Sequence, residues 1–419
     1  EECLQDIVKL VESTKINSAY ADEIKRFILS YCEKYGPQGG TPPISECVDT
    51  ILKGYVANPV DERVFEDKLW LKARHNLIAQ LKFRRCGKPW SYKRAYEAKK
   101  SKGRLSRYAA FPTGGKKSDP DNYRQAVRDI QNGKCWTYPA IILFRFYRGK
   151  LRMVWMYPFS LDLLGSTYEE ALMTHIRSLK LPRFAPWEGF ETVKEAVTEV
   201  WKPGMAVFGG DTSAMDDHFK KRMSYEAYLV LREYFEERYW PELERVMMHE
   251  NEIPLLISPS IMITGEHGEA SGGTFTSIKE TIYQCLIQEW LKLQYTELKE
   301  YMLIGDDYID FLQKLQKWRD VFLAAYNRFG LPGKLEKQSD DIEFFTFLQR
   351  LFVKGWKARG NSKIVGAIYS LISALRSLIW PENWIDPEDY PGHFSDMFVT
   401  KVAMIVENTV DSPGFEEFA

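Results

Sequence analysis

From residue 1 to about 100, apolar positions recur at three- and four-residue spacing in DIVKLVES, ADEIKRFILSYCEKYG and DKLWLKARHNLIAQLKF. That period predicts amphipathic helices, broken by the turn-rich GPQGGTPP. Between 107 and 160 the pattern changes, first to the loop-forming FPTGGKKSDPDN and then to the extended runs of PAIILFRFYRGKLRMVWMYPF, a hairpin turning at Gly149. A strand-like AVFGG ends at Asp211, and MSYEAYLVLREYFEERYWPELERVMM predicts one or two amphipathic helices. Next, the glycine-rich GEASGGTF opens onto a helix, FTSIKETIYQCLIQEWLKL, and YMLIGDDYIDFL gives two short apolar arms about a tight turn. LQKLQKWRDVFLAAYNRF predicts a helix stopped by Gly330 and Pro332, and DIEFFTFLQRLFV another hairpin. The last 60 or so residues are expected to be helical, most clearly in KIVGAIYSLISALRSLIW.

With 419 residues, 45% of them hydrophobic and 27% charged, the chain can bury a large core and should form more than one lobe. It contains no internal repeat and no low-complexity tract. No apolar run reaches eighteen residues, so no membrane segment is expected, and EECLQDIVKL does not resemble a signal peptide. We therefore expect a soluble protein, and the missing initiator Met suggests a longer natural chain. The cysteines Cys3, Cys32, Cys47, Cys86, Cys135 and Cys285 lie far apart with no CxxC pair, which argues against a zinc site or disulfide framework and for a reducing compartment. With six histidines and no HExxH, carboxylates are the expected metal ligands, and their hard oxygens favour Mg2+ or Mn2+.

A net charge of -1 conceals an asymmetry. Residues 82 to 107 hold Lys82, Arg84, Arg85, Lys88, Lys93, Arg94, Lys99, Lys100, Lys102, Arg104 and Arg107 against Glu97 alone, whereas acids dominate after Trp380. The basic run reads either as a solvated helix face or as a track for a phosphate backbone. Interleaved Phe83, Trp90, Tyr92, Tyr96 and Tyr108 favour nucleic acid, because aromatic faces stack on unpaired bases.

Nucleotidyl transfer by two divalent ions needs several carboxylates converging from different segments. Asp211 at the end of a strand and Asp306 and Asp307 at the tip of a hairpin meet that need if the strands are neighbours. A lone GDD is more often simply a good turn, since Gly and Asp tolerate its backbone angles. The surroundings decide the matter.

From about residue 145 to 350 the chain resembles, in order, the palm motifs of viral RNA-dependent RNA polymerases. Asp211-Thr-Ser-Ala-Met-Asp216 resembles D-x4-D, whose first acid ligates metal and whose second reads the ribose 2′-hydroxyl. Ser271-Gly-Gly-Thr-Phe-Thr276 resembles SGxxxT, which implies substrate-binding roles for Ser271, Gly272 and Thr276. Leu303-Ile-Gly305-Asp306-Asp307 resembles the hairpin of metal-binding acids. Arg145, Arg148, Lys150 and Arg152 in RFYRGKLRMVW resemble the basic fingers motif that steers the triphosphate, with Arg152 the preferred contact, as planar guanidinium groups suit phosphate oxygens. Phe347-Leu-Gln-Arg350 resembles the primer-grip turn. KLEKQ resembles the motif that supplies a lysine general acid, leaving Lys337 or Lys334 to protonate pyrophosphate. In one departure, Glu280 stands where SGxxxTxxxN commonly has Asn. Two carboxylates there would repel unless one is protonated, solvated or turned away, leaving the 2′-hydroxyl to Asp216 with Ser271 or Thr276. Asp217 is expected to cap the helix beginning DHFKKRMSYEAY.

SAMDDHF, SGGTFTS and SALRSLIWPENW narrow the resemblance to the picobirnavirus and partitivirus type of double-stranded-RNA viruses. The resemblance implies an α+β, helix-rich right-hand polymerase with an antiparallel palm sheet. Expected divisions are an N-terminal extension or fingertip bridge (1–106), fingers with a basic hairpin (107–200), a palm (201–353, with a fingers insertion at about 220–262) and a thumb (354–419). It further implies Mg2+ or Mn2+, RNA template and product, ribonucleoside triphosphates, a viral capsid protein as partner, and a place in the virion interior or host cytoplasm. Three rivals remain. A reverse transcriptase would put a bulky aromatic at Asp216 and YxDD at the hairpin. A magnesium-dependent phosphohydrolase would not need SGGTFT or FLQR in this order, and a non-catalytic RNA-binding protein of polymerase fold would be expected to have lost some of these acids.

Overall fold

The computed structural model describes residues 2–419 apart from 38–42, 57–58, 103–104, 106–113, 148–149, 314–316, 334–338, 342 and 381–393. Helices α1 (Glu2–Ser13), α2 (Ala21–Leu29), α3 (Ile44–Thr50), α4 (Lys68–Gln80), α5 (Tyr92–Ser101) and α6 (Pro120–Gln131) precede strands β1 (Ala140–Tyr147) and β2 (Lys150–Met156). Two helices, α7 (Phe159–Ser178) and α8 (Phe190–Val200), lead to β3 (Ala206–Asp211). After it come α9 (Met215–His218), α10 (Lys221–Leu231), α11 (Trp240–His249), the strand pair β4 (Leu255–Ser258) and β5 (Ile261–Ile263), and α12 (Thr276–Lys292). The hairpin β6 (Leu298–Ile304) and β7 (Asp307–Leu312) is followed by α13 (Trp318–Arg328) and β8 (Ser339–Asp341). Strands β9 (Phe344–Phe347), β10 (Arg350–Val353), β11 (Lys357–Ala358) and β12 (Asn361–Val365) precede α14 (Leu371–Ile379), α15 (Phe394–Thr409) and α16 (Phe415–Phe418).

The central sheet has the order β6-β7-β3-β8 and is antiparallel throughout. Successive side chains of a strand point to opposite faces, and here both faces are covered, which explains why AVF reads as an unbroken apolar run. Ala206, Phe208, Leu303 and Tyr308 join the main core with α4, α10, α12 and α13, while Val207, Met302, Ile309 and Phe311 pack with Val193 and Val197 of α8 and with Phe345 and Phe352. A second sheet, β2-β1-β4-β5, carries the long β1–β2 hairpin and a parallel β1–β4 pairing. The result is the helix-rich α+β architecture with an antiparallel sheet that was expected.

Both ends of the chain pack together. Val11, Ile24 and Ile28 are buried against Leu351, Val353, Ile368, Leu371 and Ile372. Ser370 Oγ donates to the Ile28 carbonyl at 2.9 Å. Asp411 pairs with buried Lys194 at 2.9 Å and accepts from the Arg359 and Ala367 amides, and Gly414 lies over Leu10 and Thr14 of α1.

Three expectations need correction. The stretch beginning KIV is not helical at its start: β12 runs to Val365 and pairs with β11 around Gly360, which takes φ +76°, and α14 begins only at Leu371 under a Ser370 cap. Its β-branched start and glycine turn outweighed an apolar run that suits strand and helix equally. SDPDN, read as loop, opens α6: the Asp119 side chain accepts from the Asp121 amide at 2.8 Å and Pro120 occupies the first turn, a helix-start signal. Asp217 caps nothing. It lies inside α9 against Gly54, and α10 starts at Lys221, after Lys220 at its N-cap, with no side-chain cap.

Candidate active site

Register assembles the acids. β3 and β7 pair so that Asp211 faces Asp307, and β6 pairs Ile304 with Asp307, leaving Gly305 and Asp306 as a two-residue turn. Gly305 takes φ +54°, the positive first central angle of a II′ hairpin turn, which a side chain would disfavour. The Asp306 carbonyl accepts from the Thr212 amide at 3.1 Å, tying the turn to the end of β3. Helix α12 holds it from behind: Thr281 Oγ1 accepts from the Gly305 amide at 3.2 Å, and Gln284 donates to the Gly305 carbonyl. Gln284 in turn accepts from Tyr326 at 2.8 Å, and Gln288 bridges Tyr326 and the buried Asp310.

Oxygens of Asp211, Asp306 and Asp307 lie within 4.8 Å of one another, with Asp211 buried and Asp306 exposed. Burial, reinforced by the charge of Asp306, pushes Asp307 up to about 7, although Arg152 pulls it down. Crowded carboxylates of this kind are relieved by a cation, and an all-oxygen donor set suits a hard divalent one. The residues fit such an ion. Arg152, exposed on β2, stands close enough for its charge to lower both Asp216 and Asp307.

Asp216 follows on α9, entered through Ala214 in a left-handed conformation at φ +47°. Burial raises Asp216 to about 6, the hydrogen bond from Glu280 opposing that rise and Asp306 and Asp217 adding to it. Glu280 is therefore neither solvated nor turned away. It is 6% exposed, and burial and the charge of Asp216 hold it well above the usual carboxylate range.

The glycine-rich loop is built into the protein on both sides. A Cβ on Gly272 would lie 1.6 Å from the Trp155 carbonyl of β2, so that approach excludes any side chain. Thr276 is buried, and its hydroxyl donates to Glu269 and to the Ala270 carbonyl, both at 3.2 Å. Ser271 Oγ, by contrast, is buried with no hydrogen-bond partner among the described residues. Under the loop Lys279 pairs with Glu250 at 2.8 Å and with Glu269 at 2.7 Å, all three buried, and Glu250 also accepts from the Phe275 amide. Thr274 donates at 2.9 Å to Asp162; burial would push that acid up, but Lys117 and Lys99 together hold it well below the usual range. Sequence reasoning missed Asp162, Glu250, Glu269 and Lys279. The single Lys of TSIKETIYQCLIQEW, a helix buried along most of its length, was a signal, since a buried cation must be paired.

Side chains of Arg145, Arg148, Lys150, Lys334 and Lys337 lie outside the described residues. FLQR forms the expected hairpin, with Leu348 and Gln349 both at positive φ between β9 and β10. Many cations of the basic run are committed internally. Arg85 pairs with Glu233 and Glu237, Lys88 with Glu236, Lys99 with Asp162 and Glu169, and Lys102 with Glu170, while Arg94 stacks on Trp90 at 3.8 Å. For Arg85, Lys88, Lys99 and Lys102 the phosphate-track reading gives way to internal pairing with acids distant in sequence.

No family model and no curated protein matches the chain. Among solved structures it is similar to the RNA-dependent RNA polymerase of a human picobirnavirus, at TM-score 0.78 and 21% identity over 99% of this chain and 80% of that one. A variant of that polymerase with its insertion loop deleted matches at TM-score 0.78 and 21% identity, with 83% of its chain covered. The chain therefore has the right-hand polymerase fold, and has it in the form found in the picobirnavirus enzyme.

Proposed function

We propose that the protein is an RNA-directed RNA polymerase that copies and transcribes a viral RNA genome. The observation carrying this reading is the convergence of Asp211, Asp306 and Asp307, from the end of one strand and the tip of a neighbouring hairpin, within a polymerase fold. Divalent ions held by these three acids, Mg2+ by preference and Mn2+ as a substitute, would activate the attacking 3′-hydroxyl and neutralise charge at the α-phosphate. Asp216 takes the ribose 2′-hydroxyl of the incoming nucleotide, with the unpartnered Ser271 hydroxyl as a further contact. Arg152 binds the triphosphate beside Asp307, joined by Arg145, Arg148 and Lys150, and Lys337 or Lys334 gives a proton to the leaving pyrophosphate. Gly272 lets the loop approach β2, and Thr276 supports that loop from within.

On this reading residues 1–106 bridge fingers and thumb, 107–200 form the fingers, 201–353 the palm with a fingers insertion at about 220–262, and 354–419 the thumb. Packing of α1 and α2 on β10 and α14 supports the bridge, and the antiparallel sheet spanning 206 to 341 supports the palm. RNA template, RNA product and ribonucleoside triphosphates are the partners proposed. The resemblance to polymerases of double-stranded-RNA viruses supports a capsid partner and action in the virion interior or host cytoplasm; no helix among the described residues is long and apolar enough to cross a membrane.

The test is Mg2+-dependent incorporation of labelled ribonucleotides on single-stranded RNA. Wild type should extend, and Asp306→Ala should lose at least about 10³-fold in rate while binding RNA as before. A folded wild type that binds RNA yet makes no product with either metal would point to the non-catalytic binder instead.

A further inference from the structure

At the start of β3, the end opposite the acids, a cavity of about 180 Å³ opens between the last turn of α8 and the turn joining β10 to β11. Two turns frame it: the Met205 amide donates to the Lys202 carbonyl at 3.1 Å, and the Trp356 amide to the Val353 carbonyl at 3.0 Å. Lys202, Lys354 and Lys357 line the cavity, all three exposed, and no acidic side chain does. None of their ammonium groups has an ion-pair or hydrogen-bond partner among the described residues, whereas Arg85, Lys88, Lys99, Lys102 and Lys194 are all paired. A concavity lined by one sign of charge concentrates ions of the other.

The wall between these lysines is aromatic. Trp201 and Trp356 are half-buried in it, and each indole N–H is already spent, Trp201 on the Met205 carbonyl at 3.2 Å and Trp356 on the Asp411 carbonyl at 2.9 Å. What each offers a ligand is therefore its ring. Cations for phosphate beside rings for a base are the two parts of a single-strand site. An acidic peptide would use the lysines and leave the rings idle.

We propose that this cavity is a second binding site for single-stranded RNA, in which the lysines hold phosphate and the indoles a base. β3 runs from Ala206 beside it to Asp211, roughly 17 Å of strand, so a nucleotide held there lies out of reach of the clustered acids. The site needs no chemistry at Asp211, Asp306 or Asp307 and goes beyond the reaction proposed for them.

Single-stranded RNA carrying 5-bromouracil is bound to the whole chain and irradiated, and the cross-linked peptides are mapped. Adducts are expected at Trp201 or Trp356. The triple variant Lys202→Ala, Lys354→Ala, Lys357→Ala, which removes only exposed side chains, should lose them at least ~10-fold, and its log–log salt dependence of RNA affinity should be shallower by about 0.7 for each lysine that held a phosphate. Adducts found only elsewhere on the protein overturn the proposal, as does a triple variant with the adducts or the salt slope of wild type. Polyglutamate that suppresses the tryptophan adducts as well as unlabelled RNA does also overturns it, and assigns the cavity to an acidic peptide. Asp306→Ala should lose extension and keep the adducts, which separates this site from the catalytic one.

Discussion

At the level of single residues, the site depends as much on where a side chain is forbidden as on where one acts. Gly272 could be read from the sequence only as part of a resemblance to SGxxxT; the structure supplies its reason, a backbone carbonyl 1.6 Å from where a Cβ would stand. Gly272→Ala must push the loop off β2, and overpacking of this kind costs roughly 1–3 kcal/mol. Denaturant unfolding should register that loss, and incorporation should fall with it because Ser271 moves with the loop. The three clustered acids were legible because hairpin chemistry and strand endings leave marks in sequence. Lys279 and its two glutamates were not, since their partners come from 29 and 10 residues upstream along the chain, and nothing local records such a pairing.

Among elements, β3, β6 and β7 followed directly from their apolar runs, and α12 from the glycine loop before it. α7 had no place among the predicted elements: it is buried almost all round, so no polar stripe marks its period. The basic run shows the same limit from the electrostatic side. Its cations looked free because Glu97 is the only acid among them, yet Glu233, Glu236 and Glu237 arrive from beyond α10 and Glu169 and Glu170 from α7. Substituting Arg85→Ala together with Lys88→Ala should therefore leave the salt dependence of RNA binding unchanged. Loss of a true phosphate contact would reduce the log–log slope by about 1 for each cation removed. A titration of RNA affinity against salt distinguishes the two, and a shallower slope in the double variant would restore the phosphate-track reading for these residues.

For the whole molecule, the central sheet is covered on one face by the main core and on the other by α8 with β9 and β10, so the acids stand at the edge of a platform with little freedom to shift. The outer closure is made by α1 and α2 against the C-terminal helices. Ile28, fully buried there, makes the point testable: Ile28→Ala should cost about 2–5 kcal/mol and raise hydrogen exchange in α14 before it does so in β3 or β7. Uniform loss of protection across both regions would mean that the closure and the platform unfold as one. Gly414 rests on Leu10 and Thr14, so the chain is closed like a bracelet at its clasp. Under tension applied between its ends, that clasp would part first, and the strands bearing the acids would carry no load until the outer helices had unravelled.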